Sequence, residues 1–66
     1  AEYTRVAVCK PHDCYDNNAL VLFSIENGVV YGKVLDRQTP LLIGAPSPTM
    51  AAALEKSWRG EFRQGR

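Results

Sequence analysis

Asn27-Gly28 stands between two β-rich runs, Leu20 to Glu26 and Val29 to Asp36. Asn-Gly tolerates positive φ at both central positions of a two-residue type I′ turn, so this stretch is predicted to be a β-hairpin. The turn sets a register: Glu26 opposite Val29, Ile25 opposite Val30, Phe23 opposite Gly32 and Val21 opposite Val34. One face then carries Val21, Phe23, Ile25, Val30 and Val34, with the Phe23 ring over the bare backbone of Gly32. The other face mixes Leu20, Leu22, Tyr31 and Leu35 with Ser24 and Lys33. It is only half polar, so something is expected to cover part of it.

Tyr3 to Val8 alternates, with Thr4, Val6 and Val8 on one side, and the period of two suggests a preceding strand. Pro11, His12, Asp13, Asp16, Asn17 and Asn18 then place a loop at Cys9 to Asn18. Leu41-Leu42-Ile43 suits a brief edge strand, broken by Gly44 to Pro46. Ser47-Pro48 reads as a helix start, with serine as cap and proline at the first helical position. Met50, Ala53, Leu54, Ser57 and Trp58 share a helix face, Glu55 and Arg59 lie four apart on the other, and Gly60 is placed to stop the helix. The expected fold is α+β: a small antiparallel sheet of three to four strands with one C-terminal helix packed on it.

At 66 residues the chain makes at most one small domain, spanning 1–66. Such a chain buries only about 60% of its unfolded surface, which leaves a thin core. The net charge of +1 argues against nucleic acid, which requires a concentrated basic patch. Arg59, Arg63 and Arg66 are interleaved with Glu55 and Glu61 and read as a solvated helix end and tail. The longest apolar run, Ala19 to Phe23, is far below the roughly 20 residues of a membrane span. No signal peptide is visible, and Ala1 reads as a cleavage product or a boundary. Two closely spaced cysteines in so small a domain suit an oxidising compartment.

Cys9-Lys10-Pro11-His12-Asp13-Cys14 is the constellation with chemical content. A bridge closing this ring contributes roughly 2 kcal/mol by chain entropy, so its larger effect is to hold the tip in few conformations, helped by the fixed φ of Pro11. Preorganisation lowers the cost of binding. A bridge that merely staples a hairpin end, leaving His12 and Asp13 as ordinary loop residues, fits the composition equally well. A zinc site on Cys9, Cys14 and His12 lacks a second ligand pair, and four intervening residues do not match a Cys-x-x-Cys redox motif. Cys9 with His12 as a nucleophile pair has no accompanying oxyanion-hole motif and little room for a pocket, so no enzyme, metal or cofactor is expected.

Those six residues resemble, position for position, the hallmark loop of the inhibitor of vertebrate lysozyme family of Gram-negative bacteria. The strand with Tyr3 before the loop and the apolar strand from Ala19 are similar too. The resemblance implies a periplasmic or secreted α+β protein that plugs the active-site cleft of c-type lysozymes. It implies that Cys9 and Cys14 are bridged and that His12 is the inserted key, with Lys10, Pro11 and Asp13 contributing contacts. Family members are nearly twice this length with the loop near the middle, so the chain resembles their second half. A missing N-terminal half or a homodimer partner would cover the half-apolar hairpin face. Against a basic lysozyme, a nearly neutral chain is expected to gain little electrostatic steering. The alternative is a non-inhibitory structural or dimerisation half-domain, or a binding module with another partner. Tyr15, Asp16 and Asn17 read as loop residues, Trp58 as helix-face core, and Tyr31 as undecided.

Overall fold

In the computed structural model, which describes residues 3–63, the chain forms β1 (Thr4–Cys9), β2 (Asn17–Ser24), β3 (Val29–Asp36), β4 (Thr39–Ile43) and α1 (Pro48–Phe62). The strands run as an antiparallel meander in the order β1-β2-β3-β4. This is the expected α+β arrangement with four strands.

The central hairpin differs from expectation in its turn. Ser24, not Glu26, pairs with Val29, Phe23 faces Val30, and Gly32 faces Val21. The connection is therefore the four residues Ile25 to Gly28, in which only Gly28 takes a positive φ, 66°. Ser24 explains the difference. Its carbonyl accepts the Gly28 N–H at 2.9 Å and its hydroxyl accepts the Asn27 N–H at 3.2 Å, a local alternative to continuing the ladder. The slip moves each pairing by two, so every residue that stays in a strand keeps its face. A two-residue turn with both central φ values positive does occur, but at Arg37 (52°) and Gln38 (71°), joining β3 to β4.

Helix α1 covers the half-polar face. Leu20, Leu22 and Leu35 from the sheet meet Leu54 and Trp58, with Tyr3, Tyr31, Met50 and Phe62 packed around them. Trp58 is thus a core residue as expected, and Tyr31 is a partly buried neighbour of the core. Lys33 lies on the same face. Its ammonium pairs with Glu55 and sits 3.7 Å from the centroid of the Trp58 ring. Arg5 reaches Glu61 at 3.2 Å, and Glu55 and Arg59 pair at 2.8 Å as their spacing predicts.

The Ser47 hydroxyl accepts the Met50 N–H and Pro48 opens the helix, as read from sequence. Gly60 does not end it. The helix runs on to Phe62 and is closed at Arg63, whose N–H donates to the Arg59 carbonyl at 2.8 Å. One glycine alone costs about 1 kcal/mol against alanine, which the packing of Trp58 and Phe62 outweighs. Gly44 is the glycine this chain requires: its φ is 88°, and a Cβ there would run into the Val30 carbonyl.

Among the described residues nothing packs over the opposite face of the sheet. Val6, Val8, Val30, Leu41 and Ile43 on this face are 40–60% exposed.

Candidate functional site

Cys9 ends β1 and is bonded to Cys14, with the two Cα atoms 4.9 Å apart. Both sulfurs are consumed, so the zinc and thiol-redox readings lose their ligands and nucleophile. Among the described residues no cluster of three metal-ligating side chains exists. The loop closes on itself in two steps. The Lys10 carbonyl accepts the Asp13 N–H at 2.9 Å, and the Asp13 carbonyl accepts the Asn17 N–H at 3.0 Å. Below them, the Lys10 N–H donates to the Asn17 carbonyl at 3.0 Å and continues the β1–β2 pairing.

The first of these bonds makes Lys10-Pro11-His12-Asp13 a β-turn with Pro11 and His12 at its centre. His12 has φ 67°, so the turn is of the type II kind, which suits proline at its second position and glycine or asparagine at its third. A histidine there stands in the left-handed region at a cost of about 1 kcal/mol or more. The imidazole is exposed at the tip, flanked by exposed Lys10 and Pro11, while Asp13 is half-buried.

Asp13 owes its orientation to Asn17, whose Nδ2 donates to Asp13 Oδ2 at 2.7 Å. Asn17 Oδ1 in turn accepts the Arg37 N–H at 3.0 Å. From the same turn, Gln38 Nε2 donates to Asp16 Oδ1 at 3.2 Å. On the helix side, Asn18 donates to the Cys14 carbonyl at 2.7 Å and accepts from Trp58 Nε1 at 2.6 Å. Arg63 donates to the Tyr15 carbonyl at 3.0 Å and lies 3.6 Å from the centroid of the Tyr15 ring.

The structure therefore brings Cys9, Lys10, Pro11, His12, Asp13 and Cys14 into one tip. It adds a base that the sequence pattern does not reveal, since Asn17 and Asn18 read there as loop formers and Arg63 as part of a solvated end. Arg66, read with it, lies outside the described residues. The one available signal was the adjacency of two amides at the first positions of β2, which the strand period sends to opposite faces. Chemically, the arrangement offers a stiff projection with two ring nitrogens at its end and a fixed carboxylate beside them.

No helix among the described residues is long and apolar enough to cross a membrane. No curated protein and no solved structure matches the chain. The sequence model of one family, described as inhibitor of vertebrate lysozyme (Ivy), matches residues 2–64. That match takes in the bridged turn, its amide base and the helix behind it, and the chain belongs to the inhibitor of vertebrate lysozyme family.

Proposed function

We propose that this protein inhibits c-type lysozymes by occlusion, inserting His12 from the bridged turn into the active-site cleft. Family membership gives lysozyme inhibition as the general function. The observation that carries the finer reading is the placement of His12. Its side chain is exposed at the tip of a turn whose flanks are bonded through Cys9 and Cys14 and whose preceding residue is proline, so the imidazole is presented on a stiff projection. Lysozymes work with one carboxyl of raised pKa near a second, ionised one, and retaining glycosidases hold the pair about 5 Å apart. An imidazole presents nitrogens on both sides of its ring and can meet both groups while filling the space of the sugar. Asp13, Lys10 and Pro11 border it and complete the contact. The disulfide supports an oxidising setting for this activity, periplasmic or extracellular.

The test is lysis of cell walls by a c-type lysozyme titrated with the parent and with His12→Gly. The parent is expected to inhibit and the variant to lose most inhibition; equal inhibition by both would remove His12 from the mechanism.

A second reading, association with another copy, is favoured by the open sheet face. Val8 and Leu41 are 58% and 60% exposed, and Ala19 and Val34 lie between them across the strands. The centre of this face carries no charged side chain, so a second copy could lie against it without burying an unpaired charge. An isologous sandwich with sheets about 10 Å apart satisfies both copies at once. Sedimentation should show mass rising with concentration, and a monomer up to about 100 μM, weaker than the usual range for such contacts, would end this reading.

A further inference from the structure

We propose that Asn17 and Asn18 are positioning residues for the His12–Asp13 tip, each carrying into the loop a restraint that originates in another part of the fold. The inference rests on the inhibitory reading for its consequence, but its geometry stands apart from it. The disulfide joins residues 9 and 14 to each other and so closes the ring. It does not by itself set where that ring stands above the sheet. Two amides do this, from opposite sides.

Asn17 is held first by the β3–β4 turn. A backbone N–H can only donate, so the Arg37 N–H at 3.0 Å fixes which end of the Asn17 amide is oxygen. The remaining NH2 is thereby aimed at Asp13 Oδ2, 2.7 Å away. Asn18 is held in the same way on the other side of the sheet. The indole N–H of Trp58 can only donate, and at 2.6 Å it fixes the Asn18 oxygen. The Asn18 NH2 then binds the carbonyls of Cys14 (2.7 Å) and Tyr15 (3.4 Å), and the residue is 5% exposed. Arg63 clamps the same Tyr15 carbonyl at 3.0 Å, with its guanidinium stacked between the rings of Tyr15 and Trp58, 3.6 and 4.5 Å from their centroids. The tip is thus tied to the β3–β4 turn through one amide and to the end of α1 through the other.

The consequence is that tip order, and with it the fraction of molecules ready to bind, depends on contacts remote from His12. Asn17→Ala cuts the first tie. Arg63→Ala weakens the second; it removes a guanidinium from the Trp58 ring but leaves the groups of the buried Asn18–Trp58 hydrogen bond in place. Three readouts are needed: the unfolding midpoint, hydrogen exchange at the Asp13 and Asn17 amides, and inhibition of a c-type lysozyme. In the double variant the midpoint should move little. Exchange at the two amides should accelerate roughly tenfold as the open fraction rises by that factor, whereas inhibition should weaken only as far as the competent fraction falls, because apparent affinity scales with that fraction. Lys56→Ala, an exposed position on the same helix away from the loop, should leave all three unchanged. Unaltered exchange in the double variant overturns the proposal. If the parent fails to inhibit at all, the inhibitory reading falls, and faster exchange alone still upholds the ties at Asn17 and at the Tyr15 carbonyl as supports of the tip.

Discussion

His12 has a φ of 67° in a turn whose preceding residue is proline, and that pairing of a rigid residue with a strained one separates two roles usually entangled in a mutation. Replacing His12 by glycine removes the imidazole and also the Cβ that makes the left-handed region costly. The stability of His12→Gly should therefore equal or exceed that of the parent, by up to about 1 kcal/mol. Loss of inhibition without loss of stability, followed by urea unfolding beside the lysis titration, attributes the effect to the side chain. A destabilised variant would instead mean that the imidazole holds the loop together. The hallmark residues themselves were legible because two cysteines, a proline and a histidine within six positions are rare in combination. The turn type was not, since nothing in Pro11-His12 announces a positive φ. Nor were Asn17 and Asn18, because asparagine near a loop reads as a turn former whether or not its amide reaches back into the loop.

Among the elements, those whose limits are set by their own side chains were the readable ones. Ser47-Pro48 starts α1 because the hydroxyl meets the Met50 N–H at 3.2 Å and proline has no N–H to satisfy. Removing that cap with Ser47→Ala should cost about 1 kcal/mol. A urea midpoint unchanged from the parent would show the helix start to be held by packing alone. Where a limit is set by contacts distant in sequence, the pattern misled. Gly60 lies inside α1 because Trp58 on one side of it and Phe62 on the other are anchored to the core, with ring centroids 6.1 Å apart. Asn27-Gly28 is the strongest two-residue turn signal in the chain, yet it sits in a four-residue turn because the buried Ser24 captures the Asn27 and Gly28 amides. The faces of β2 and β3 survived this error, since the slip preserves parity.

For the whole molecule, one helix has to hold a four-stranded sheet from one side. Leu20 and Leu54 are fully buried at that contact, and Lys33 and Glu55 cross it as an ion pair that Arg59 extends. The hydrogen bond from Lys33, aided by the charges of Lys33 and Arg59 and opposed by partial burial, holds the Glu55 carboxyl below the usual carboxylate range. The unfolded chain has no such partner, so it binds this proton more readily than the folded chain does. The pair's contribution is therefore complete above the ordinary carboxylate pKa and is lost as pH falls through the lowered one. Glu55 is partly exposed, so screening keeps the contribution below about 1 kcal/mol. Glu55→Gln should be less stable than the parent at pH 7 by that small margin. The gap should close under acid, below the range where ordinary carboxylates titrate. Urea midpoints of both proteins at pH 7, 5 and 3 give the comparison, with the other carboxylates common to each. A gap that stayed constant down to pH 3 would show that shape, not charge, joins helix to sheet at Lys33.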